Sequence, residues 1–278
     1  MKEITLHVAY MPLQHTNKEL REEFDKMLDR FDLRGRVGCI STDNARENIA
    51  MMRRYSQDID NSWSFDYAVR CMNHSHQLCI KEMLLTQECV HLVQKAIRQA
   101  GIINLGGGGR KTAFAKCCHD AGLDDATIAR VNVTRWHSQY NILRDILPVP
   151  PELEGVWREV LDRFNRIYTK EEGLAALVWS DEEWARVRQL RKVLQTFKDV
   201  MIDGEHSKEP GLNLVLSYYE LLMSHCEGPL IPDWLKEGAK ACQVRLAEFY
   251  DHTSDLYYAA TSLGPRLKMT PFSDDAGV

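Results

Sequence analysis

The chain has 278 residues, 27% of them charged and 44% hydrophobic, and its 35 basic side chains against 40 acidic ones leave a formal net charge of −5. That length can bury a sizeable core, whereas the charge excludes a basic field over the whole chain, so any nucleic-acid contact must be a local patch. No apolar run approaches the ~20 residues of a membrane span, and MKEITLHVAY lacks the basic-then-apolar order of a signal peptide. Eight scattered cysteines, two of them adjacent (Cys117 and Cys118), read as the reduced thiols of a nuclear or cytoplasmic protein.

In chain order, ITLHVAY (4–10) is β-branched and aromatic and predicts a first strand. Leu20, Phe24, Leu28 and Phe31 recur at helical spacing and predict a helix over 17–33, closed by Gly35. VGCIST (37–42) reads as a second strand, followed by a helix near 45–56 that Asp43 or Asn44 can cap. FDYAVRC (65–71) reads as a third strand, and a long helix is expected from His74 to about Ala100. Short strand–helix connections favour a parallel second and third strand. Beyond Gly101 the pattern is helical, with helices expected at 112–121, 136–147, 152–169, 181–203, 211–227 and 233–252. LPVPPE and GEHSKEPG are the clearest breaks, Trp157, Trp179, Trp184 and Trp234 are candidate core anchors, and the tail TPFSDDAGV is expected to fray. The expected fold class is α/β plus α, about three strands followed by a mainly helical block.

Four stretches carry candidate chemistry. Asp43 stands at the end of an apolar strand, where it can either cap the next helix or hold a divalent cation through carboxylate oxygen. Cys71 and His74 have metal-ligand spacing, yet no second pair follows, and both suit structural roles equally. GGGGRKT (106–112) lacks the order of a phosphate loop, because helix precedes it and Arg110 stands where a final glycine belongs. Arg110 and Lys111 can still touch a phosphate backbone. Arg135 and Trp136 can contact phosphate and stack on an unpaired base, or pair and pack within the protein.

Together STDNARENIAMMRR, YAVRCMNHSHQLCIKEML, VNVTRWHSQYNILRDIL and LYYAATSLGPRLK resemble the hAT superfamily of DNA transposases. The resemblance implies a partial RNase H-like domain over 1–147, ending in the Arg-Trp motif, and a helical insertion-type domain over 148–278. It makes Asp43 the second acid of an Asp–Asp–Glu site that uses Mg or Mn, Cys71 and His74 the Cys-x-x-His signature, and Arg135 and Trp136 the Arg-Trp signature. Gly264 stands where that family usually has Asp. The first acid's Asp-x-Trp-Ser/Thr motif and the late Glu find no match, and Asp274 and Asp275 are poor replacements. Neither the family's zinc finger nor its dimerisation segment is matched. The expectation is therefore a transposase-derived protein unable to catalyse transposition and holding no productive metal. Its residual DNA contact would run through Arg110, Lys111, Arg135 and Trp136. The alternatives are a helical protein-interaction module centred on 148–262, or an active metal nuclease using other acids. Without the opening strands of that fold, strand 4–10 should lose its neighbours and the α/β part should be weakly stable.

Overall fold

A computed structural model describes residues 5–10, 15–58, 62–105, 109–124, 128, 136–167, 177–206 and 211–264. The chain folds into two compact units, each made from separate stretches. Unit 1 comprises 1–79, 200–224 and 243–278, and unit 2 comprises 80–199 and 225–242.

Unit 1 begins with α1 (Asn17–Arg30), which opens on a capping box: Thr16 and Glu19 satisfy each other's backbone N–H groups. The helix closes earlier than Gly35 suggested. The Leu33 N–H returns to the Leu28 carbonyl at 2.9 Å, and Asp32 takes the left-handed turn at φ 51°. Aspartate tolerates that region better than most side chains. Helix α2 (Arg46–Ser56) packs against α1, with Phe24 edge-on to Tyr55 at 5.2 Å. Leu28, Ile40, Met51, Met52, Tyr55 and Trp63 form the buried cluster between these elements. The Trp63 indole N–H also donates to the Gly38 carbonyl at 3.1 Å, which fixes the approach to the first strand.

That strand, β1 (Ile40–Thr42), pairs in parallel with β2 (Ala68–Arg70), Ile40 opposite Ala68 and Thr42 opposite Arg70. The parallel order is as expected, but the sheet among the described residues has two strands, not three. Thr5–Tyr10 forms no strand, and Val8 and Tyr10 are 85% and 90% exposed. β propensity alone cannot hold an extended segment whose N–H and C=O groups find no ladder partner. Among the described residues His7 ties it to α1, through a 3.3 Å contact with Glu23.

The expected long helix is two helices, α3 (Met72–Leu84) and α4 (Gln87–Leu105). Thr86 stands in the break, its hydroxyl on the Met83 carbonyl at 3.3 Å. Gly238 presses on this point so closely that a Cβ there would lie 2.8 Å from the Met83 carbonyl oxygen. In unit 2, α4 packs on α5 (Arg110–Asp120) and α6 (Trp136–Asp145), and α7 (Glu154–Ile167) packs on α5. Phe114 meets Trp157 and Phe164 edge-on at 5.9 and 5.4 Å, and Trp179 stacks on Trp184 at 5.0 Å. Trp157, Trp179 and Trp184 are core anchors, as expected, whereas Trp234 is only half-buried and lies outside the core.

The remaining helices are α8 (Asp181–His206), α9 (Val215–Glu227), α10 (Lys236–Tyr250) and α11 (Asp255–Leu263). Short 3-10 turns at Gly211–Leu214 and Asp233–Leu235 lead into α9 and α10. No helix among the described residues is long and apolar enough to cross a membrane. The tail beyond Gly264 lies outside the described residues.

Candidate nucleic-acid interface

Asp43 follows directly on β1, exposed at the mouth of the strand pair. Its Oδ1 accepts the Ala45 N–H at 2.9 Å and the Asn48 side-chain amide at 2.7 Å. The helix α2 itself opens at Ala45 without a side-chain cap, so Asp43 makes a turn into the helix rather than a cap on it. The Ala45 N–H, the Asn48 amide and the nearby His74 hold its carboxyl below the ordinary carboxylate range, against the opposing effect of burial. Asp43 is thus an ionised acid that two donors orient.

Cys71 and His74 occupy the junction of β2 and α3. The Cys71 N–H donates to the Thr42 carbonyl at 2.7 Å and extends the parallel ladder by one bond. The Cys71 carbonyl receives both the N–H and the hydroxyl of Ser75, at 3.0 and 3.2 Å. Asn44 then donates its amide to the Ser75 hydroxyl at 2.9 Å, binding the loop after β1 to the first turn of α3. In this geometry the Cys-x-x-His stretch braces the strand mouth and sets His74 near Asp43. Among the described residues no group of three His, Cys, Asp or Glu side chains is placed to share a metal ion. A two-metal centre needs several converging carboxylates, and the described residues around Asp43 do not fit one.

Behind the mouth lies a buried polar layer. Ser75 and His76 are fully buried, and His76 lies edge-on to Tyr219 at 5.6 Å. Neither ring nitrogen of His76 has a hydrogen-bond partner among the described residues, and burial holds its pKa down at about 4. Burial likewise pushes the Tyr219 and Tyr257 hydroxyls up. The Tyr257 oxygen accepts the Arg70 N–H at 3.0 Å, capping the end of β2.

Beside the mouth is a cleft of about 420 Å³ lined by Asn44, Arg46, Ile49, Ala50, Arg53, Arg70, Leu78, Arg245 and Phe249. Four guanidinium side chains and no carboxylate line it. Arg70 and Arg245 lie against the Phe249 ring at 5.7 and 4.8 Å, and Arg53 lies over Phe65 at 5.3 Å. Arg245 pairs with Glu248, whereas Arg46, Arg53 and Arg70 form no ion pair among the described residues. Burial, then the neighbouring Arg245 and Arg53 charges, lower the pKa of Arg70, against the influence of the Tyr257 and Tyr219 hydroxyls.

The other sequence-derived contacts belong to unit 2. Arg110 is the first residue of α5, after Gly109, whose φ of 80° favours glycine, and Lys111 is exposed beside it. Helix α4 precedes the glycine run, as the rejection of a phosphate loop requires. Trp136, the first residue of α6, is only 4% exposed and packs edge-on against Tyr140 at 6.3 Å. A base could stack on it only if the side chain left this packing. Arg135 lies outside the described residues.

Sequence reasoning missed the arginine cleft. Arg46, Ala50 and Arg53 share one face of α2, and Arg70 is a charge ending an otherwise apolar strand; both are readable signals. Arg245 comes from a helix far along the chain and has no such signal.

No family model matches the chain. Over 305 residues it is 23% identical to "Putative transcriptional regulator tpeD" of Talaromyces stipitatus, a match covering 98% of this chain and 33% of that protein. Over 198 residues it is 25% identical to "Putative AC transposase" of Zea mays, covering 67% of this chain and 22% of that protein. The chain thus spans about a third and about a fifth of these two relatives, and its distant similarity is to proteins named for transposition and for transcriptional regulation.

Proposed function

We propose that the chain is a transposase-derived protein of hAT type that binds nucleic acid and does not by itself cleave it. The observation that carries this reading is the oriented, ionised Asp43 at the mouth of a parallel strand pair. In an open parallel arrangement, functional groups gather at the carboxyl ends of strands. The similarity to a transposase-named protein supports the same assignment. A single acid cannot clamp both the attacking and the leaving oxygen, so Mg or Mn would find no productive two-metal geometry here.

The test is direct. Purified chain, incubated with labelled duplex, hairpin or single-stranded DNA and Mg or Mn, should retain salt-sensitive binding and give no cleavage. Cleavage that disappears in Asp43→Asn would establish an active nuclease and overturn the reading. Absence of binding to every DNA form at low salt would overturn its other half.

A regulatory role is the second reading. It is favoured by the fungal relative, whose match covers nearly all of this chain. It shares the proposed contact with nucleic acid and differs in consequence: occupancy of the DNA would serve transcriptional control.

A further inference from the structure

We infer that the cleft lined by Arg46, Arg53, Arg70 and Arg245 is a phosphate-binding site that takes the phosphodiester backbone of a nucleic-acid strand beside Asp43. This rests on the nucleic-acid reading above and assigns the contact to a place that sequence motifs did not mark.

Three observations carry it. The first is charge balance. Four guanidinium groups meet around one cleft in a protein of net charge −5, and the only carboxylate paired with any of them is Glu248, on Arg245. Glu47, which adjoins Arg46, feels its charge and that of Arg54 but among the described residues forms no ion pair with either, its Oε2 accepting the backbone and side-chain amides of Asn17, both at 2.9 Å.

The second is the position of Arg70. It is partly buried at the end of β2, yet no acid of the described residues faces it, and its charged neighbours Arg53 and Arg245 are both repulsive. A partly desolvated cation held among like charges costs stability unless an anion is supplied, and the chain supplies none there.

The third is shape and chemistry. A cleft of about 420 Å³ falls within the ~300–1,000 Å³ of ligand sites. Its floor of Ile49, Ala50, Leu78 and Phe249 is apolar, which suits a sugar or base edge, while planar guanidinium forks match phosphate oxygens. One carboxylate of an acidic peptide would leave most of this positive charge unanswered. A strand delivers one negative charge per nucleotide along its length.

The experiment uses the whole chain and two probes, a short fluorescein-labelled oligonucleotide (single-stranded and duplex) followed by anisotropy, and inorganic pyrophosphate followed by thermal shift. Arg70→Gln should weaken oligonucleotide binding at least about tenfold, and Arg46→Gln with Arg53→Gln should weaken it further. Each lost phosphate contact should reduce the slope of log affinity against log salt by about one. Arg70→Gln should melt no lower than the parent, because Gln keeps the backbone N–H bonded to Tyr257, so lost binding would not mean lost fold. The exposed α2 pair provides a second route that leaves the core untouched.

If the parent binds DNA and these variants bind equally well, the cleft assignment fails and the nucleic-acid reading survives. If the parent binds no strand but pyrophosphate raises its melting temperature in an Arg70-dependent way, the site is a small-anion pocket; the nucleic-acid reading and the assignment of a strand to the cleft both fall. If neither probe binds, the phosphate site itself is overturned.

Discussion

The two units differ in how they treat buried polarity. In unit 2 the principal interior polar side chains are matched, although the buried Trp179 indole N–H has no hydrogen-bond partner among the described residues. Gln99 and Asn165 exchange amide hydrogen bonds at 2.9 and 3.0 Å, and the Lys95 ammonium lies 2.6 Å from Glu183 while also donating to the Val178 carbonyl. Glu183 doubles as the third residue of a capping box, accepting the Ser180 N–H at 2.7 Å, so one carboxylate serves the helix end and the ion pair. In unit 1, Arg70 has no counter-charge and His76 no hydrogen-bond partner among the described residues. Satisfied pairs hold a scaffold. Unsatisfied groups around a strand mouth cost stability, and they mark the part of the fold where a ligand can repay it.

The sharpest way to break this contrast is to spoil unit 2. Lys95→Met should destabilise the protein by roughly 3 kcal/mol in chemical denaturation, since it strands Glu183 largely buried without its ammonium. The pH dependence follows from Glu183. Burial opposes ionisation there, but Lys95, the Ser180 N–H and His91 outweigh it and hold the pKa at about 2. A depressed carboxylate stabilises the fold above its unfolded value near 4.5 and loses that contribution as pH falls toward about 2. Lys95→Met should remove most of this acid-limb dependence.

His76 should give a comparable effect in a different window. Its folded pKa of about 4 lies below the ordinary 6.5, so the unfolded chain takes up the proton first. Stability should be full above about pH 6.5, decline as pH falls through that interval, and level off below about 4, a loss of up to roughly 3 kcal/mol. His76→Leu should flatten that slope and leave the protein at least as stable at neutral pH. A parent whose denaturation midpoint stays constant from pH 7 to 4 would contradict the burial of an unpartnered imidazole.

The smallest effect belongs to the surface of unit 1. Thr16→Ala removes the cap of α1 and should cost about 1 kcal/mol at neutral pH, with no effect on strand binding. A much larger loss would mean that the α1–α2 cluster depends on the cap more than its packing implies.

Much of unit 1 was legible in the chain because its signals are local. The apolar VGCIST run, the turn residues Asp43 and Asn44, and the Leu20–Phe24–Leu28 spacing suffice for the parallel strands and their helices. The errors have physical origins. Thr5–Tyr10 has strand-like composition, but a strand exists only with a partner, and composition cannot reveal a missing one. The break at Leu85 and Thr86 escaped notice because apolar periodicity continues on both sides, while the contact that presses on it comes from distant Gly238. Helix α11 was hidden in a short aromatic stretch and is held by tertiary contacts, including the Ser254 hydroxyl on the Asp66 carbonyl at 2.6 Å. At the candidate site, Asp43 was visible as a strand-end acid. The guanidinium cleft was not, because Arg245 must travel from α10 to complete it.

The central claim is that unit 1 keeps an uncompensated cation for the sake of a ligand. Equilibrium unfolding and oligonucleotide affinity of Arg70→Gln, measured side by side with the parent, test it most directly. The account predicts equal or higher stability together with at least about tenfold weaker binding. Lower stability with unchanged affinity would show that Arg70 is structural and would contradict the account.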